Sequence, residues 1–284
     1  MLEVNLSAGY KGLTIIDDLR LSLQPAERLG LLGTSGAGKS TLLLALLGLL
    51  PWRGGWARGE VLVGGKNLLA LKEREARQLR GKVLALVPQS PASALNSELS
   101  LQTHFEQAWR AHEPARKTRL MPRVEELLRR VHLPTETAFL RRKPGQISVG
   151  QAQRCVLALA LLHRPSVLIA DEATSALDPA TQAEVLGLLR EVSEEQGTAL
   201  LFVSHDLLSV LRLCSRFALL YEGRIAETCP VEHADKVQHP ALQRLLHTLP
   251  APPSVLLRYA ADRTTAFVNP KVAQPLEAVA LESF

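Results

Sequence analysis

The stretch GTSGAGKST, residues 33–41, joins two apolar runs, RLGLLG at 28–33 and LLLALLGLL at 42–50. A turn from a buried strand into a buried helix needs one glycine and a capping side chain. Three glycines, a lysine and neighbouring hydroxyls exceed that need and point to a ligand. The spacing Gly33-x-x-x-x-Gly38-Lys39-Ser40 is that of a phosphate-binding loop, in its required place between strand and helix. Glycines let the backbone N–H groups of about Gly36 to Thr41 turn inward around phosphate oxygens. The following helix aims its positive N-terminal end at the same anion. Gly33, Ser35, Gly36, Gly38, Lys39, Ser40 and Thr41 form the predicted cradle. Lys39 reaches the β- and γ-phosphates and the Ser40 hydroxyl ligates Mg²⁺, so the predicted ligand is a nucleoside triphosphate.

A triphosphate loop needs a carboxylate partner at the end of an apolar strand. VLIADE, residues 167–172, supplies one. Asp171 is the candidate Mg²⁺ holder, and Glu172 is placed to polarise an attacking water beside the γ-phosphate.

Around these motifs, short apolar runs of strand length alternate with amphipathic helical stretches. KVLALVPQ, PSVLIADE, TALLFVSH and RFALLYEG join RLGLLG as continuous runs, the pattern of strands covered on both faces. Helical patterns occupy 40–49, 150–163, 179–195 and 206–213. This alternation predicts an α/β fold with a mostly parallel sheet. MLEVNLS, LRLSLQP and GEVLVGG alternate or carry turn residues, and predict a small antiparallel β addition. Residues 97–146 break the rhythm: LQTHFEQAWRAH and PRVEELLRRVHL read as two helices of an inserted helical subdomain. Phe105 and Trp109, one helical turn apart, either line a groove for a partner or fill that subdomain's core. Beyond Pro250 the chain is rich in proline and alanine without steady periodicity, a tail that docks on the body or stays mobile.

Composition narrows the class. The net charge of +5 comes without a Lys/Arg block, so it fits a solvated surface as well as an anionic partner. Three cysteines, Cys155, Cys214 and Cys229, form no CxxC pair and fit a reducing compartment. The longest apolar stretch, LLLALLGLLPW, is far shorter than the roughly 20 residues of a membrane span. A membrane is therefore reached only through a partner.

Further stretches occur in a fixed order. Gln89 ends VPQ; ISVGQAQR occupies 147–154; SALD occupies 175–178; His205 lies in FVSHD; Tyr10 precedes Lys39 by 29 positions. In this order the chain resembles the nucleotide-binding subunits of ATP-binding cassette (ABC) proteins over residues 1 to about 248. The resemblance implies a P-loop NTPase whose helical subdomain spans about 97–150, with residues 249–284 as a C-terminal tail. It implies ATP and Mg²⁺ as the ligands. Tyr10 then stacks on adenine, Gln89 contacts Mg²⁺ and water, and His205 contacts the γ-phosphate and steadies Glu172. Ser148, Gly150 and Gln151 form the signature, whose hydroxyl and N–H groups face the nucleotide of a second subunit, with Asp178 in the D-loop beside it. ATP is thereby shared between two domains that close on binding and open on hydrolysis.

Two departures and one branch likeness qualify the resemblance. Val149 stands where the signature usually has glycine, and would be strained if that position needs positive φ or close backbone approach. Ala173 replaces a common proline, which is neutral. SALN after Gln89 and VQHPALQRLL near the end resemble the peptide and nickel importers, with Ser97 in place of proline and Ala241–Leu242 in place of Tyr-Thr. That branch implies a second, non-identical ATP-binding subunit, two membrane permease subunits and an external binding protein. The chain itself would sit peripherally on the cytoplasmic face of the cell's inner membrane, with the permease received near the Q-loop and residues 98–131. No nucleic acid is expected. The alternative is a soluble ABC ATPase in nucleic-acid or translation work. It is disfavoured because the interval from Lys39 to Ser148 cannot hold a long coiled coil and the chain carries one cassette. His233, His239 and His247 are spaced too irregularly for a metal site and read as surface histidines.

Overall fold

A computed structural model describes residues 1–255, except residues 35, 116, 176 and 254. Two sheets form its frame. β1 (Leu2–Tyr10), β2 (Leu13–Leu23), β4 (Gly55–Val63) and β5 (Lys66–Asn67) make an antiparallel sheet in the order β2-β1-β4-β5. The second sheet is built on β3 (Arg28–Gly33), β6 (Leu84–Val87), β7 (Val167–Asp171), β8 (Ala199–Ser204) and β9 (Arg216–Tyr221), which are parallel. β10 (Arg224–Pro230) closes one edge antiparallel to β9, giving the order β10-β9-β3-β8-β7-β6. The α/β expectation, mostly parallel with an antiparallel addition, is met.

The continuous apolar runs have a direct structural cause. Successive side chains of a strand face opposite sides. In β8, Leu200 and Phe202 enter one core, whereas Ala199, Leu201 and Val203 enter the other. β7 divides in the same way, Leu168 and Ala170 against Val167 and Ile169. One core lies under the antiparallel sheet and α1 (Lys39–Leu46). The other lies under the inserted helices and under α8 (Pro179–Gln196) and α9 (Leu207–Leu213).

Between β6 and β7 the chain leaves the sheet. After α2 (Glu73–Leu79), which precedes β6, come α3 (Pro91–Ala94), α4 (Leu101–Arg110), α5 (Leu120–Arg130) and α6 (Thr137–Leu140), and α7 (Val149–Ala160) leads back into β7. α4 starts at Ser100, whose hydroxyl accepts from the Thr103 N–H at 3.2 Å, a standard N-cap. Phe105 is 1% exposed, and Trp109 is buried and stacks on the His163 ring with centroids 5.4 Å apart. Both aromatics are core, which decides between the two sequence readings. Each removes about 1.5–3 kcal/mol worth of apolar surface from water.

Of the late histidines, His233 and His247 are exposed, as expected of surface residues, whereas His239 is half-buried and structural. His239 accepts from the Ala241 N–H at 3.2 Å to cap α10 (Pro240–His247), and its ring packs on Tyr221. Most of the tail expected at 249–284 lies outside the described residues.

Candidate active site

Four parallel strands deliver the predicted site residues from one end of the sheet. β3 runs into the glycine loop, β6 is followed by Gln89, β7 ends at Asp171 with Glu172 next, and β8 is followed by His205. Because β3, β8, β7 and β6 are consecutive neighbours, their C-terminal ends form one edge. That edge is where open α/β sheets bind ligands.

In the loop, Gly38 is the N-cap of α1 at φ 101° and ψ 9°. A Cβ there would come within 2.8 Å of Ile16 Cδ1 and 3.1 Å of Ile15 Cγ2, so both backbone angle and space demand glycine. Among the described residues no side chain caps α1, and its first turn holds no acid. The N–H groups of Lys39, Ser40 and Thr41, which no preceding helical carbonyl can accept, are thus left with the positive helix end in an arrangement that can receive an anion. Ser35 lies outside the described residues. Lys39 Nζ donates to the Gly33 carbonyl and lies 3.6 Å from Glu172 Oε1, the two side chains 13% and 14% exposed.

Glu172 is the point of convergence. It takes φ 43°, left-handed for a residue with a Cβ, and is fixed there by its N–H donating to the Val203 carbonyl at 2.8 Å. Such a backbone costs on the order of 1–3 kcal/mol and is characteristic of functional sites. Gln89 Nε2 donates to Glu172 Oε2 at 2.8 Å, and His205 Nδ1 lies 3.2 Å from Oε1. Lys39, Gln89 and His205, from three separate segments, therefore meet on one carboxylate. Next to it, burial pushes the Asp171 carboxyl up to about 6; the Glu172 charge adds to the rise, and Lys39 opposes it.

A second group assembles on α7 and α8. Ser148 is the N-cap of α7: its hydroxyl accepts from the Gln151 N–H at 3.2 Å, and the Gln151 side chain accepts from the Ser148 N–H at 3.1 Å. The hydroxyl that the sequence reading turns outward thus serves the helix end. Val149 is 59% exposed in the first helical turn, so the left-handed backbone that would strain it does not occur. Gly150 packs on α8, where a Cβ would lie 3.2 Å from Thr181 Cγ2. Asp178 caps α8 by accepting from the Ala180 and Thr181 N–H groups, both at 3.1 Å. The Thr181 hydroxyl, donating to it at 2.7 Å, and these N–H groups hold its carboxyl below the usual range. Arg154 reaches Glu184 at 3.0 Å and completes the α7–α8 link.

Tyr10 ends β1, pairs with Leu13 and Gly55, and accepts on its carbonyl from Trp56 Nε1 at 3.2 Å. It belongs to the sheet whose Ile15 and Ile16 pack on Gly38.

The sequence profile described as ABC transporter matches residues 16–175. The chain belongs to the ABC transporter family. Its α/β body is the ATPase domain of that family. A putative peptide import ATP-binding protein of Brucella abortus (strain 2308) is 36% identical over 256 residues, covering 88% of this chain and 77% of that one. The oligopeptide transport ATP-binding protein OppD of Bacillus subtilis (strain 168) is 35% identical over 237 residues, covering 83% of this chain and 66% of that one. A dimeric ATP-binding cassette solved in a post-hydrolysis state with ADP and Pi superposes with TM-score 0.70 at 26% identity, covering 81% of this chain and 98% of that one.

Two parts of the site escaped sequence reasoning. One is the left-handed backbone of Glu172, for which a following Ala173 gives no cue. The other is the bonding around Asp206 described below, for which the spacing Asp206-x-x-Ser209 at a helix start was the available signal.

Proposed function

We propose that the chain is the ATP-hydrolysing subunit of a peptide-class importer, using residues 1–248 as its nucleotide-binding domain and 249–284 as a tail. The convergence of Lys39, Gln89 and His205 on Glu172 carries this reading. The names of the Brucella and Bacillus relatives support the peptide class.

In this reading the glycine loop and Lys39 hold the triphosphate of ATP, Lys39 exchanging Glu172 for phosphate oxygens. Tyr10 offers its ring to the base. Glu172, oriented by Gln89 and His205, polarises a water and accepts its proton. Two consecutive buried-edge carboxylates against one lysine are a donor set that a hard divalent cation fits. Ser40, Asp171 and the Gln89 amide oxygen are the groups that would hold Mg²⁺. When bound, that ion neutralises phosphate charge. The surface of Ser148, Gly150, Gln151 and Asp178 faces the nucleotide of a second, non-identical ATP-binding subunit. Two permease subunits and an external binding protein complete the importer, and the chain lies on the inner face of the membrane.

The test is co-purification. A tagged chain should bring down permease subunits and a second ATP-binding subunit; ribosomes or DNA in their place would refute the importer reading.

A further inference from the structure

α8 touches both halves of the candidate site. Its N-terminal end carries Asp178 and, through Thr181, meets Gly150 of α7. One residue further on, Gln182 reaches the opposite way, to the loop that bears His205. Its Nε2 donates to Ser209 Oγ at 2.8 Å and to Asp206 Oδ2 at 3.4 Å. Ser209 Oγ in turn donates to Asp206 Oδ2, and Asp206 Oδ1 accepts from the Leu208 N–H at 3.0 Å to cap α9. The Asp206 N–H donates to Ser204 Oγ at 3.0 Å. His205 thus sits between two residues, Ser204 and Asp206, that are bonded to each other.

The geometry of His205 makes this bracing consequential. Its side chain is 62% exposed and meets Glu172 at 3.2 Å, so packing contributes little to its position. Its orientation depends on the short segment joining β8 to α9. Within the bonds around Asp206, Ser204 ends β8 and Leu208 and Ser209 lie in the first turn of α9, so these three partners flank the same short segment. Gln182 is the member contributed by another element, and α8 is the helix against which the signature end of α7 packs.

We infer that Gln182 is a positioning residue for ATP hydrolysis, holding the His205 segment in register with the Asp178 end of α8. The inference rests on the ATPase reading above. It gives α8 a mechanical part: whatever shifts Asp178 at its N-cap also moves the brace on His205. Among the described residues the side-chain bonds of Gln182 go to Asp206 and Ser209 and not to the glycine loop or Glu172, so its loss acts on turnover and spares nucleotide binding. A displacement near 1 Å of a group in the reacting centre costs up to about a hundredfold in rate, and a loosened brace on an exposed histidine falls below that bound.

The experiment measures ATP turnover by the full chain, with the subunits that co-purify with it, for wild type, Gln182→Ala, Gln182→Glu and Ser209→Ala. Gln182→Ala is expected to lower kcat about tenfold with KM within about twofold of wild type, since binding groups are untouched. Gln182→Glu faces Asp206 with a second carboxylate and cannot donate when ionised. Its deficit relative to wild type should be full at pH 8 and shrink toward pH 5.5, where a protonated carboxyl donates in the amide's place. The Gln182→Ala deficit should stay constant over that range. Ser209→Ala, which removes one acceptor and keeps the Asp206 cap, should show a smaller loss in kcat alone. A kcat for Gln182→Ala within twofold of wild type overturns the inference. So does a loss shared by kcat, KM and melting temperature in Gln182→Ala while Gln182→Glu and Ser209→Ala behave as wild type, which marks a packing role. Should Gln182→Ala fail to fold, the pH-dependent deficit of Gln182→Glu decides. Absence of turnover in wild type refutes the ATPase reading instead, a result separable from the others.

Discussion

Lys39 Nζ and Glu172 Oε1 stand 3.6 Å apart, tying the glycine loop to the residue that follows β7. The ammonium also donates to the Gly33 carbonyl, so the loop's own backbone and a strand-end carboxylate together hold it across the mouth of the cradle. In the proposed ATPase a phosphate group would compete with Glu172 for this cation.

Lys39→Met tests that competition. The variant keeps the apolar stem and loses a charge-assisted bond of about 1.5–3 kcal/mol, so nucleotide affinity should fall by roughly tenfold or more. Titration with a fluorescent ATP analogue reads the loss, and unchanged affinity would remove Lys39 from the cradle.

Gly38→Ala combines a strained φ of 101° with a Cβ 2.8 Å from Ile16 Cδ1. It should cost on the order of 1–3 kcal/mol and weaken nucleotide binding together with stability. Gly36→Ala, at φ 81° with open space around the new Cβ, should cost only about 1 kcal/mol. Thermal melts of the two variants, compared side by side, check the order.

Asp171 links stability to pH. An aspartate ordinarily ionises near 3.8, whereas burial and the Glu172 charge raise this one to about 6. The folded state therefore holds its proton more tightly than the unfolded state. Ionisation costs stability progressively from about pH 4 to pH 6, and fully above that. Asp171→Asn carries no such charge. Without nucleotide or divalent cations its melting temperature should exceed wild type at pH 7.5 by about 2–4 °C per kcal/mol recovered, and the difference should close toward pH 4. A difference that grows on acidification contradicts this assignment.

Much of this was legible in the sequence, and the limits have physical reasons. The glycine loop, Asp171, Glu172 and the parallel strands announce themselves through spacing and through runs buried on both faces. The role of Phe105 and Trp109 did not, because the same one-turn spacing serves a groove or a core; only the packing on His163 decides. The Glu172 backbone, held at φ 43° by a bond to Val203, depends on a neighbouring strand that local sequence cannot express. The bonds from Gln182 to Asp206 and Ser209 cross 24 and 27 residues and follow from tertiary structure alone.

Val149→Gly separates two effects of the altered signature. Val149 is helical and exposed, so glycine relieves no backbone strain and should lower stability by about 0.5–1 kcal/mol. Removing the side chain from the surface assigned to the partner's nucleotide should raise turnover at that site a few-fold. Steady-state hydrolysis by the assembled complex, read with a melt, tells the two apart, and unchanged turnover would show that Val149 does not face that site.

The convergence on Glu172 is tested most directly by Glu172→Gln, which keeps an acceptor for Gln89 and removes the charge that Lys39, His205 and water require. ATP turnover and nucleotide affinity are measured on the same preparation. Turnover should fall at least about a hundredfold while affinity is retained or improves, as Lys39 loses its competing partner. Turnover at the wild-type level in the glutamine variant would contradict the account.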